Sequence, residues 1–245
     1  MTKKADSRAP TARAVVLRGC RDAFGLPMVA VAGGMAGFGS LARDSGLGLG
    51  AAVVASAGVY GLPGQVAFAE LYASGAELFA VILAVSMGNV RFFPMAVAFM
   101  PLLRADLRRP AWLFALVQLL SVTTWAAAMR AFPDIPVPLR RHYFAAFGLV
   151  CLVAGVVGTV AGHLATGALP RPVALGLIFL NPLFIGLLLA DTRATMTILA
   201  LLAGAVAGPV FHLLSADWGV LAAGLVAGSA VFFLTEVRSR RARRP

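Results

Sequence analysis

Long apolar stretches, separated by short charged or proline-rich connections, run through almost the whole chain. After a polar, basic start, apolar runs cover about Ala23–Leu41, Leu47–Ala73, Ala76–Leu103, Ala111–Ala131, Tyr143–Ala165, Val173–Ala190, Ala194–Leu214 and Trp218–Thr235. Some 18–20 apolar residues suffice to cross a bilayer as a helix. The pattern predicts an all-α polytopic integral membrane protein of about seven or eight helical segments. A transmembrane domain would occupy residues 23–237, with basic cytoplasmic tails at 1–22 and 238–245, the first ending as a helix on the membrane surface.

The N-terminal half holds the least regular segments. Between Gly58 and Pro101 two apolar runs are interrupted, first at Gly61-Leu62-Pro63-Gly64-Gln65, then at Gly88-Asn89-Val90-Arg91 with Pro94 close behind. Helix breaks at membrane depth survive only where the freed backbone meets protein or a cavity. Paired breaks point to a transporter's substrate site. Arg91 and Asn89 are expensive in hydrocarbon, so Arg91 reads as a carboxylate clamp, against a snorkelling or structural pairing with Glu70. Gln65, with Gly61 and Gly64, would offer an amide and open backbone, although Pro63 alone explains a kink. Glu70 reads as a secondary or coupling carboxylate, or as an interfacial glutamate. Asn181-Pro182 reads as a third break or a packing kink.

Other features have plainer readings. Gly158 and Gly162 form a GxxxG packing face. Gln118, Ser121, Thr123 and Thr124 lie in the fourth segment, where threonines usually bond back to their own helix. His163 and His212 are isolated and read as interfacial. Trp112, Trp125, Trp218 and Tyr143 read as interfacial anchors.

Composition sharpens the class. The chain has 245 residues, 60% hydrophobic and 13% charged, where a soluble domain carries about 25% charged residues. Mean hydropathy is +0.88. The net charge of +11 gathers at the ends, with Lys3, Lys4, Arg8, Arg13, Arg18 and Arg21 at one and five arginines after Val237 at the other. Such flanking clusters set topology and meet anionic lipids, and they lack the interleaved aromatics of a nucleic-acid surface, so nucleic acid is not expected as a partner. Cys20 and Cys151 sit in no metal or CxxC spacing, and no cleaved signal peptide is read. The positive-inside rule does not satisfy every loop with eight crossings, because Arg104, Arg108 and Arg109 then fall outside. An irregular segment is expected among the first three.

An enzyme is not expected. There is no HExxH, GxSxG or GxxxxGK[ST], so no metal, cofactor or nucleotide is read from the chain. A channel for small polar solutes and a membrane scaffold or motif-less enzyme are the alternatives to a transporter.

Gly19-Cys20-Arg21-Asp22, Phe38-Gly39, Tyr60-Gly61 with Gly64-Gln65, Asn89-Val90-Arg91 and Pro101 follow one another in an order and spacing that resembles the AzlC family. That family is the large subunit of bacterial branched-chain amino acid exporters. Pro182-Leu183-Phe184 is similar to a C-terminal motif of the same family. The resemblance implies a multi-pass protein of the bacterial inner membrane that exports amino acids together with a small AzlD-like membrane subunit. Phe92 stands where the family often has histidine, and Ser121-Val122-Thr123-Thr124 lacks an acid that many members carry. No acid lies among Ile178, Phe179 and Leu180 either.

Overall fold

A computed structural model of the chain describes residues 11–90, 92–103, 110–165, 171–179, 195–214 and 226–233. All regular structure among them is helical. The chain divides into two units, Met1–Ile185 and Gly186–Pro245. The second holds helix α11 (Thr195–Leu214) and a helical stretch at 226–233.

The first unit is built along one helix, α9 (Arg140–Leu164). With the turn that precedes it, α9 is the one described helix long and apolar enough by itself to cross a membrane. Leu149, Val153 and Val157 make an exposed apolar stripe at helical spacing along it.

Two helices run beside α9 in the same direction: α1 (Ala12–Ala23) and α2 (Leu26–Asp44). Gly25 at φ +122° lets the chain bend by 55° between them. The basic N-terminal region thus ends in a helix, as expected, but its buried Val15, Gly19 and Ala23 pack it against the start of α9. Further along, Gly158 faces Ala32 and Gly162 faces Ala36. Cβ atoms at either glycine would strike the facing carbonyl oxygen, so the backbones approach as only small residues allow. At the far end Arg43 donates to the His163 carbonyl at 3.1 Å. Helix α10 (Arg171–Ile178) packs along α2.

Between α2 and α9 the chain forms two helical hairpins and a bent helix. The first hairpin is α3 (Leu49–Gly58) and α4 (Leu62–Ala73). Its descent can be followed on α9. The Leu47 carbonyl accepts from His163 Nε2 at 2.9 Å, Ser56 bonds Thr159 at 2.6 Å, and Tyr60 lies against Gly155. From His163 to Gly155 is eight residues, about 12 Å of helix. The chain then turns back, because Gln65 Nε2 donates to Ser56 Oγ at 3.0 Å. Had α4 continued along α3, those residues would lie about 13 Å apart.

The bent helix, α5 (Leu78–Asn89) and α6 (Phe92–Leu103), changes direction by 49°. Phe99 near its end stacks on Phe132 at 5.5 Å and meets Phe144 at 4.8 Å, so it runs antiparallel to α9. The second hairpin, α7 (Pro110–Gln118) and α8 (Val122–Ala131), bends by 109°. Arg140 closes the turn into α9 by donating to the carbonyls of Ile135 and Phe132.

Three expectations need correction. The fourth segment is not one straight helix but folds at Leu119–Ser121, where no glycine or proline stands. The irregularity therefore reaches beyond the first three segments. Tyr143 is not an interfacial anchor: it is buried and donates from its hydroxyl to Asp22 at 2.9 Å. His163, read as interfacial, is also buried.

Candidate functional site

The two hairpin tips meet near the middle of α9, one at Gly155 and the other, through Leu119, at Gly148. Four helix ends come together there, and each leaves backbone groups without a partner inside its own helix.

Three of those ends are closed by side chains. Gln118 Nε2, at the second tip, donates to Ala57 O at 2.7 Å and Gly58 O at 2.9 Å, satisfying the end of α3. Thr124 Oγ1 donates to Leu119 O at 2.8 Å, covering the end of α7. At the start of α8, Ser121 Oγ accepts from Thr124 N at 3.2 Å and Thr124 Oγ1 accepts from Ser121 N at 2.7 Å, a reciprocal capping box. Thr124 thus reaches across its break to Leu119 O at 2.8 Å as well as back to Ser121 O, three residues before it, at 3.0 Å.

The fourth end is different. Helix α4 begins at Gly61 with no side-chain cap, and Pro63 in its first turn has no N–H. Gly61, Leu62, Gly64 and Gln65 are all buried. Tyr60, just before them, has φ 43°, a left-handed position that glycine ordinarily takes after a helix. Its buried hydroxyl faces Ser121 without completing a hydrogen bond.

Asn89, the last residue of α5, lies across this uncapped end. Cβ atoms built on Gly61 and Gly64 would both collide with its amide, and the Cβ of an alanine at Gly88 would stand 3.2 Å from Gly64 Cα. The two glycine-bearing breaks are therefore in contact because neither carries a side chain there. Asn89 Oδ1 is buried and accepts no hydrogen bond from the described residues.

Gln65 is fully buried and joins a directed chain. Thr159 donates to Gly155 O at 3.2 Å, so it accepts from Ser56, which in turn accepts from Gln65 Nε2. The amide nitrogen is satisfied while Oε1 has no partner among the described residues. A buried acceptor left open is costly, roughly 1–3 kcal/mol.

Of the residues singled out in the sequence, Gly61, Gly64, Gln65 and Asn89 converge here. Glu70 is exposed two turns further along α4. Arg91 and Asn181 lie outside the described residues. Gln118 and Tyr60 complete the junction, although in the sequence they stood out only by polarity and by a motif. Among the described residues no three His, Cys, Asp or Glu side chains converge as metal ligands.

The cap of α8 is testable. Ser121→Ala should lower the protein's unfolding free energy by about 1 kcal/mol. Thermal melts of the detergent-purified protein check this, and an unchanged midpoint would mean Thr124 alone holds the turn.

The AzlC protein family matches residues 27–169. The chain belongs to the AzlC family. The matched region opens in α2 and closes just past α9, so it contains both hairpins and their junction. The AzlC family is associated with membrane transport of amino acids. No curated protein and no solved structure matches the chain.

Proposed function

We propose that this AzlC-family chain is the permease subunit of a secondary transporter that exports branched-chain or similar amino acids across the bacterial inner membrane. The observation that carries the reading is the buried start of α4, uncapped by any side chain and crossed by the Asn89 amide. A helix N-terminus offers N–H groups and positive potential to a carboxylate. The open acceptors beside it, Asn89 Oδ1 and Gln65 Oε1, suit an ammonium group. A zwitterion with an apolar side chain satisfies both kinds of group at once.

In this mechanism the backbone N–H groups at the start of α4 receive the substrate carboxylate, Gly61 and Gly64 let the Asn89 amide lie against that end, and Asn89 with Gln65 holds the ammonium. Arg91, two residues beyond Asn89 in the chain, adds a guanidinium to the carboxylate end. Glu70 and Asn181 stand outside the binding step and are assigned to coupling or to packing. A small AzlD-like subunit completes the transporter, and its role rests on the family resemblance. The exposed apolar residues of α5, Leu78, Phe79, Ile82 and Leu83, suit a face turned to lipid or to that subunit.

Efflux of preloaded labelled leucine, isoleucine, valine and a panel of other amino acids tests the proposal. Cells would carry the chain with its small partner, beside Arg91→Ala and an empty vector. Saturable efflux that falls at least tenfold in Arg91→Ala, with the mutant present in the membrane, is the expected result. Persisting efflux in the mutant would remove Arg91 from the site. No efflux above the empty vector, with both proteins in the membrane, would sink the transport reading for these substrates.

A further inference from the structure

The two hairpins resemble each other in build and oppose each other in direction. Each has a short helix, a three-residue break and a second short helix: α3, Val59–Gly61, α4, and α7, Leu119–Ser121, α8. Each is followed by a long element, α5–α6 or α9, and these two run antiparallel. The first hairpin leaves from the end of α9 marked by His163 and Leu47. The second returns to the opposite end, where Phe132 and Ile135 are bound by Arg140.

We propose that α3–α6 and α7–α9 form an inverted pair, each a re-entrant hairpin plus one crossing, entering the bilayer from opposite faces. Gln118, bonded to the last two carbonyls of α3, is the joint between the two tips. Repeats of opposite orientation are a recurring basis for alternating access around a central site.

Charge supports the orientation. Arg13, Arg18, Arg21, Arg130, Arg140 and Arg141 lie on the elements that gather at the start of α9, where Arg18 meets Asp134 at 3.3 Å. Arg43 and Arg171, with Asp44, Glu70 and Glu77, belong to the elements at the other end, two arginines against six. The positive-inside rule then puts the start of α9 in the cytoplasm. Two re-entrant hairpins also place the chain's exit at Leu103 and its return at Pro110 on that same face. The arginines that eight straight crossings leave outside are thereby brought in.

The joint is placed where a rocking motion must act. Gln118 reaches from one repeat to the backbone of the other, one turn or less from the uncapped start of α4. Its two hydrogen bonds use both amide hydrogens, so any separation of the tips must break them. This part of the inference rests on the transport reading, whereas the topology does not.

The experiment therefore reads both. In a Cys20→Ser, Cys151→Ser background, single cysteines at Asp44, Ser74 and Val137 are labelled with a membrane-impermeant maleimide in intact spheroplasts and in inside-out vesicles. Asp44 and Ser74 should label from one face and Val137 from the other. Labelling of Asp44 and Ser74 from opposite faces would mean that α3–α4 crosses, and the inverted pair would be overturned. Gln118→Met, of similar length but without donors, should then lower the maximal efflux rate about tenfold while leaving the apparent KM within about twofold. Wild-type efflux in Gln118→Met overturns the joint, and a change confined to KM moves Gln118 into the binding site instead. If the labelling pattern holds and no tested amino acid is exported by the wild-type chain, it is the transport reading that fails, not the topology.

Discussion

Gly162→Val is expected to leave almost no folded protein in the membrane. A Cβ at this position would lie inside the Ala36 carbonyl oxygen, and backbone cannot swing aside as a long side chain can. Helices α2 and α9 would have to separate, undoing the neighbouring fit of Gly158 on Ala32 and of Gly39 on Thr159. Overpacking a tight core commonly costs about 1–3 kcal/mol, and a backbone collision lies at or above the top of that range. Against a total stability of about 5–15 kcal/mol the loss is severe. Membrane yield and detergent melts measure it, with Gly176→Ala as the control because open space surrounds that residue. A Gly162→Val protein that accumulates and melts like the wild type would show that the α2–α9 contact is looser than described.

Gln65→Met should separate function from stability. Methionine matches glutamine in length and fills the same buried space. The change removes one hydrogen bond to Ser56 but also removes the unpartnered Oε1. Replacing a half-satisfied buried amide with an apolar isostere is close to neutral for folding. Ser56 keeps its bond to Thr159. Efflux should nevertheless fall by a factor of ten or more, since a charge-assisted hydrogen bond to substrate is worth roughly 1.5–3 kcal/mol. An unaltered melt with lost efflux places Oε1 in the substrate path. A collapsed melt instead assigns Gln65 to structure, and normal efflux with a normal melt removes it from the site.

Much of the fold could be read from residue patterns. The apolar runs mark the helices, Gly158 and Gly162 mark the packing face of α9, and the paired breaks mark where Gly61, Gly64, Gln65 and Asn89 meet. Glycine and proline announce these features because their backbone effects are local. The fold of α7 on α8 carries no such mark. Its signal is weaker: Gln118 followed by Ser121 and Thr124, a set of caps that reads equally well as a polar face on an intact helix.

The sequence by itself determined the helical class, the AzlC resemblance and four residues of the central junction, Gly61, Gly64, Gln65 and Asn89. These follow from hydrophobicity, chain geometry and the small size of glycine, which act over a few residues. Tertiary structure alone decided that α3–α4 and α7–α8 turn back, and that Gln118 closes one helix end while α4 is left without a cap. A broken apolar helix can continue across the bilayer or reverse with the same local conformation. Which happens depends on what satisfies the freed carbonyls and N–H groups at the break: for α3 that partner is Gln118, some 60 residues away in the chain, whereas Ser121 and Thr124 close the second break locally.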